Sequence, residues 1–203
     1  MQNSKLTQIR SCLLLAVMAL TMMSFTVVID AGHGGHDAGA IGLKMKVQEK
    51  NLNLAVAKQL AAKIREKYPE VKVVLTRDTD VFLPLQQRAD IANKNHADLF
   101  ISIHTNASSN PDASGTEAFA YVQPSRAFSL GEDIVQGIVN VTGLRNRGMK
   151  VRPGLYVLRR TAMPAVLVEL GFITNPGDAA LMNENPRLFA QGIYQGIENY
   201  FSG

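Results

Sequence analysis

Four side chains in this 203-residue sequence stand where chemistry needs them: His33, Glu49, His104 and Glu169. His33 follows an apolar, β-rich run in FTVVIDAGHGG, and His104 ends another in DLFISIHTNAS. A strand apolar on both faces belongs inside a sheet covered by helices on either side. In such sheets, ligands bind in the crevice beyond the carboxyl ends of the strands. Two imidazoles carried to that rim by separate strands can converge on one point, and the commonest thing they share is a metal. Glu49 lies between the two histidine loops, just before a helix that starts near Asn51. A carboxylate there is favoured by the helix N-terminus alone, by ~0.3–1 kcal/mol. It would also complete a two-histidine, one-carboxylate set, which leaves a fourth zinc position open for water. Glu169 closes the apolar strand Ala165 to Leu170 in PAVLVELGFITNP. A buried ionised carboxylate is costly unless paired or metal-associated. Two readings follow: a salt bridge to an arginine such as Arg159, or a general base at the same rim.

Other residues carry less. His36 shares the loop of His33 but is as easily solvent-exposed, and His96 sits at a helix end, where the helix dipole accounts for it. Gly32, Gly34 and Gly35 fit a loop that needs positive φ or close approach. They do not form a phosphate loop, because no Gly-Lys-Ser/Thr follows. Neither a G-x-S-x-G elbow nor an HExxH helix is present.

The elements that must position these groups alternate along the chain. Strands are predicted at Phe25 to Asp30, Val71 to Arg77, Asp98 to His104, Thr116 to Val122, Leu155 to Arg160 and Ala165 to Leu170. Leu52, Val56, Leu60 and Ile64 recur at helical spacing before Pro69. Further helices are predicted at Leu85 to Asn95, Ala127 to Val141, after Pro176, and from Pro186 to Tyr200. This is a single α/β domain: about six strands, mostly parallel in a mixed sheet, flanked by helices on both faces.

The first 25 residues break from that pattern. Lys5 and Arg10 precede an apolar run from Cys12 to Phe25, which reads as a secretory signal peptide, with a short N-terminal anchor as the alternative. The run falls short of the ~20 residues a spanning helix needs. Residues 26–203 would then form the mature domain, without a stable membrane span. Cys12 is the only cysteine, so the domain uses neither disulfides nor thiolate chemistry. The formal charge of +4 falls to +2 without Lys5 and Arg10, too little to argue for nucleic acid.

With these residues in place, the chain resembles the zinc-dependent N-acetylmuramoyl-L-alanine amidases of the amidase_3 family. The resemblance runs from Phe25 to Phe201 through six ordered blocks: VVIDAGHGGHDAGAIG, EKNLNLAVA, VVLTRDTDVFLPLQQRADIAN, ADLFISIHTNA, GTEAFAY and GLYVLRRTAMPAVLVELGFITN. It departs at Ala31, where the family usually has proline. The resemblance implies one zinc ion held by His33, Glu49 and His104, with Glu169 as the catalytic glutamate. The implied reaction cleaves the amide between the lactyl group of N-acetylmuramic acid and L-alanine in peptidoglycan, in cell-wall turnover or daughter-cell separation. Asn106 and Arg159 are candidate substrate contacts, whereas Arg77, Arg88 and Glu117 read as structural. Export to the periplasm or the extracellular wall space is expected, as a monomer. Some division amidases of the family carry a long helical plug after the fourth strand. Here only Gln123 to Pro153 separates that strand from the next, so no activator is expected to be required. The chain ends about where its last helix does, with no wall-binding repeat expected. Two alternatives stand beside this reading: a zinc peptidase or deacylase acting on wall peptides, and a non-catalytic peptidoglycan-binding domain.

Overall fold

The computed structural model describes residues 25–202. The expected signal peptide lies, apart from Phe25, outside the described residues. The elements run β1 (Thr26–Ala31), α1 (Glu49–Lys67), β2 (Lys72–Leu75), α2 (Leu85–Lys94), β3 (Leu99–Asn106), β4 (Thr116–Ala120), α3 (Arg126–Thr142), β5 (Asn146–Val151), α4 (Tyr156–Arg160), β6 (Ala165–Phe172), α5 (Pro176–Glu184) and α6 (Pro186–Ser202). One six-stranded sheet has the order β2-β1-β3-β6-β4-β5. Every neighbouring pair is parallel except β6–β4, so β4 and β5 run against the other four. That reversal brings the amino ends of β4 and β5 to the rim where β1, β3 and β6 end.

Because side chains alternate across a strand, the apolar runs feed two cores. Ile29, Ile101 and Val168 pack with Leu52, Val56 and Leu60 of α1, Ile134 of α3 and Phe189 of α6. Val28, Phe100, Phe119 and Leu167 face the other way, against Ala92 of α2 and Val157 and Leu158 of α4. The helix stripe at Leu52, Val56, Leu60 and Ile64 is buried as its spacing requires.

Two expectations are corrected. Leu155 to Arg160 is not a strand: Tyr156–Arg160 forms a single helical turn. Val157 and Leu158 are consecutive yet both buried in the same core, which a strand's alternation forbids. The sixth strand is instead Asn146–Val151, a half-exposed edge strand with a polar sequence. The strand that carries Glu169 also runs on to Phe172, so Glu169 sits within it rather than closing it.

A buried ionic cluster fixes the end of β1. The Asp30 carboxylate accepts from Thr76 Oγ1 and Ser102 Oγ, both at 2.7 Å, and from Arg88 Nη1 at 2.8 Å. Arg88 also donates to the carbonyls of Ala31 and His33, each at 2.7 Å. Arg77 reaches the Ala31 carbonyl at 2.8 Å and that of Gly32 at 2.9 Å. The arginine and carboxylate side chains are only 3% and 1% exposed, so neither can fall back on water. Removing one partner of such a pair costs about 3–5 kcal/mol. Arg88→Met is therefore expected to lose that much stability in urea denaturation, and a loss below about 1 kcal/mol contradicts the clamp.

Candidate active site

His33, Glu49 and His104 come together at the rim, with one ligand atom from each within 4.8 Å of the others. Glu49 Oε1 lies 3.1 Å from His33 Nε2 and 3.0 Å from His104 Nδ1. A tetrahedral zinc site with bonds of 2.0–2.2 Å separates its donor atoms by about 3.3 Å. The donor set and its spacing therefore suit zinc. The imidazoles remain 25% and 20% exposed while the carboxylate is 6% exposed, so the group opens to solvent on the histidine side.

Each donor is aimed by its surroundings. His33 adopts φ 62°, a left-handed conformation that costs a non-glycine residue about 1–2 kcal/mol. The arginine clamp on the carbonyls of residues 31–33 holds it there. Asp37 Oδ2 lies 2.9 Å from His33 Nδ1, which leaves Nε2 facing Glu49. Glu49, the first residue of α1, accepts from the amides of Thr105 (3.0 Å) and Ala40 (2.9 Å). Two glycines make room: a Cβ on Gly32 would lie 2.3 Å from His104 Cε1, and one on Gly39 would lie 2.6 Å from Glu49 Oε2.

The charges are coupled. Burial by itself would raise the Glu49 carboxyl, yet the hydrogen bonds and charges of His104 and His33 hold it well below the usual range. Burial would likewise lower the His33 imidazolium, but Glu49 and Asp37 push it up to about 9. Glu169 has no such help. Burial pushes its carboxyl up to about 7, reinforced by Glu49 and Glu117 and opposed by His104 and His33.

The position of Glu169 follows from register. It is the Cα partner of His104 on β3 and of Glu117 on β4, so the three side chains leave one sheet face in a row. Its Oε2 is buried without a hydrogen-bond partner. The salt bridge to Arg159 weighed from sequence is therefore absent. Arg159 lies on the exposed end of α4, its guanidinium 5.9 Å from the Tyr156 ring centroid. Asn106 donates to Glu117 Oε1 at 3.0 Å. Glu117 also receives Arg147 Nε at 2.9 Å and Lys150 Nζ at 2.5 Å. His36 lies outside the metal group, its ring 4.2 Å from that of Phe82.

Sequence reasoning missed two contributors. Asp37 hides in a glycine-rich loop where a carboxylate needs no special role. The pairing of Glu117 with Arg147 and Lys150 depends on a strand the sequence conceals.

The rim of this α/β sheet thus carries an open histidine–glutamate group that could hold a metal ion, beside a buried carboxylate. The N-acetylmuramoyl-L-alanine amidase family model matches residues 27–199, and the chain belongs to that family. It is 41% identical over 180 residues to the uncharacterized protein YqiI of Bacillus subtilis, covering 87% of this chain and 84% of that protein. It is 38% identical over 180 residues to the N-acetylmuramoyl-L-alanine amidase LytC of the same organism. That match covers 87% of this chain and 35% of LytC, so the chain spans about a third of LytC's length. Among solved structures, the N-acetylmuramoyl-L-alanine amidase from Clostridium difficile 630 superposes with a TM-score of 0.83 at 36% identity, over 89% of this chain and 98% of that one. No helix among the described residues is long and apolar enough to cross a membrane.

The partner that orients a metal-ligating histidine is typically worth 10–100-fold in metal affinity. Asp37→Ala is expected to weaken zinc binding by about that factor in a competitive chelator titration. Unchanged affinity would show that the loop backbone alone aims His33.

Proposed function

We propose that the chain is an exported, zinc-dependent N-acetylmuramoyl-L-alanine amidase, with residues 26–203 as its catalytic domain. Its substrate is peptidoglycan, and the bond cut joins the muramic acid lactyl group to L-alanine. His33 Nε2, His104 Nδ1 and Glu49 Oε1 would hold one zinc ion. Zinc bound there would polarise the amide carbonyl and acidify the attacking water. One observation carries the reading: the Glu169 carboxylate is buried, unpartnered at Oε2, and aligned across the strands with His104.

A carboxylate in that state is a strong proton acceptor. Glu169 takes a proton from the attacking water as its oxygen bonds to the lactyl carbonyl carbon. As the C–N bond breaks, Glu169 passes the proton to the departing alanine nitrogen. The products are a free lactyl carboxylic acid and a peptide with a free L-alanine amine. Asn106 serves the site through Glu117, and Arg159 stands too exposed to do more than touch a long substrate.

The helix between β4 and β5 supports activity without an activator. α3 packs in the core with α1 and α6, on the sheet face opposite the row of His104, Glu169 and Glu117. Export rests on the basic, apolar leader read from sequence.

Glu169→Gln is expected to lower kcat at least ~10²-fold, as loss of a general base does. Zinc content should stay at the wild-type level, because Glu169 is outside the ligand set. The melting temperature should hold or rise, since a buried charge without a partner has gone. Retained activity would remove Glu169 from the mechanism. Because a base must be ionised, the zinc-loaded enzyme is expected to lose activity as pH falls. The midpoint should be raised above the ordinary glutamate value of about 4.3. A limb at or below that value, with zinc retained, contradicts the burial argument.

A further inference from the structure

The row that begins with the metal group does not end at Glu169. On the same sheet face it continues through Glu117 on β4 to Lys150 on β5, the Cα partner of Phe119. Glu117 is 4% exposed, and its carboxylate takes up both Arg147 and Lys150, so two cations meet one anion. Arg147 bonds through Nε and Nη1 and lies over the Phe172 ring at 4.9 Å, which leaves Nη2 without a hydrogen-bond partner among the described residues. Arg152, the next cation along, lies over the Phe119 ring at 5.3 Å and has no carboxylate partner among the described residues. The far end of the shelf thus holds two positive charges in excess, on side chains fixed from below by a buried carboxylate and a ring.

The order across the sheet gives this shelf a direction. Metal ligands come first, then the group that protonates the leaving nitrogen, then the cations. A substrate amide seated between ligands and Glu169 must place its amine half, the departing peptide, towards β4 and β5. Arg147, bonded to Glu117, lies two strand spacings beyond β6, about 10 Å, and Arg152 lies about four residues further along the sheet, away from the rim. An extended peptide crosses the spacing to Arg147 in about three residues.

We propose that Arg147, Lys150 and Arg152 form the subsite that receives a carboxylate of the stem peptide on the leaving-group side of the scissile amide. Glu117 is the positioning residue that holds Arg147 and Lys150 in place. The enzyme therefore selects acidic stems over their carboxamide counterparts. This rests on the amidase reading, because the direction of departure comes from the role of Glu169.

The test compares two synthetic N-acetylmuramoyl tripeptides, one with its stem carboxyl groups free and the other with them as primary amides. Wild-type enzyme should cleave both, with KM about tenfold lower for the acid, the effect of one charge-assisted contact. Arg152→Ala removes a stacking contact on Phe119 but no buried ion pair, and should raise KM for the acid alone. Arg147→Ala should act in the same direction, and Arg152→Lys should restore most of the preference. Equal KM values for acid and amide in the wild type, or equal losses on both in the variants, would overturn the subsite. Cleavage of the amide compound carries the amidase reading by itself: if wild type cuts neither compound, that reading fails and the subsite falls with it.

Discussion

The strained turn at His33 is the constraint on which the site depends. The imidazole leaves β1 towards Glu49 and His104 with residue 33 at a positive φ, a conformation uncommon outside glycine. The stabilisation comes from below. Arg77 and Arg88 direct their donors to the carbonyls of Ala31, Gly32 and His33. Asp30, buried between Thr76 and Ser102, balances the charge of Arg88. Asp80 holds the outer edge of the loop, accepting from the Gly35 amide at 2.8 Å and from Lys50 at 2.6 Å. A rigid element thus delivers His33, although His33 itself is on a loop.

Two glutamates at this rim have opposite fates. Glu49 is buried but accepts from two backbone amides and faces two imidazoles, so it stays ionised, the form in which a carboxylate can hold a metal. Glu169 is buried with an oxygen left unpartnered, so it sits close to neutrality and can exchange a proton. Glu117 is a third case, fully paired to cations and placed to shape the shelf rather than to react. The sheet sets all three by register, and the differences between them come from what surrounds each carboxylate.

Most of the architecture was legible because burial leaves a periodic trace. The stripe from Leu52 to Ile64 and the apolar runs of β1, β3 and β6 are buried as their patterns require. Edge elements leave no such trace. β5 reads as polar because only one side of it meets the sheet, and Gly148 with φ 74° interrupts its pattern. Tyr156–Arg160 reads as a strand because Tyr156 and Val157 are β-formers, whereas the core shared by Val157 and Leu158 dictates a turn of helix. Of the site, the histidines and glutamates were visible as residue types at strand ends and a helix start. Asp37 was not visible, since hydrogen-bond direction leaves no mark in a sequence. The environment of Glu117 depended on β5, and so stayed hidden with it.

We propose that a zinc-bearing rim and one buried carboxylate cut a single kind of amide bond. Zinc content of the purified protein, together with mass spectrometry of peptidoglycan it has digested, tests this directly. The account predicts one zinc per chain and stem peptides released intact with a free L-alanine amine. Peptides cut within the stem, or release of intact stems that persists after complete removal of zinc, would contradict it.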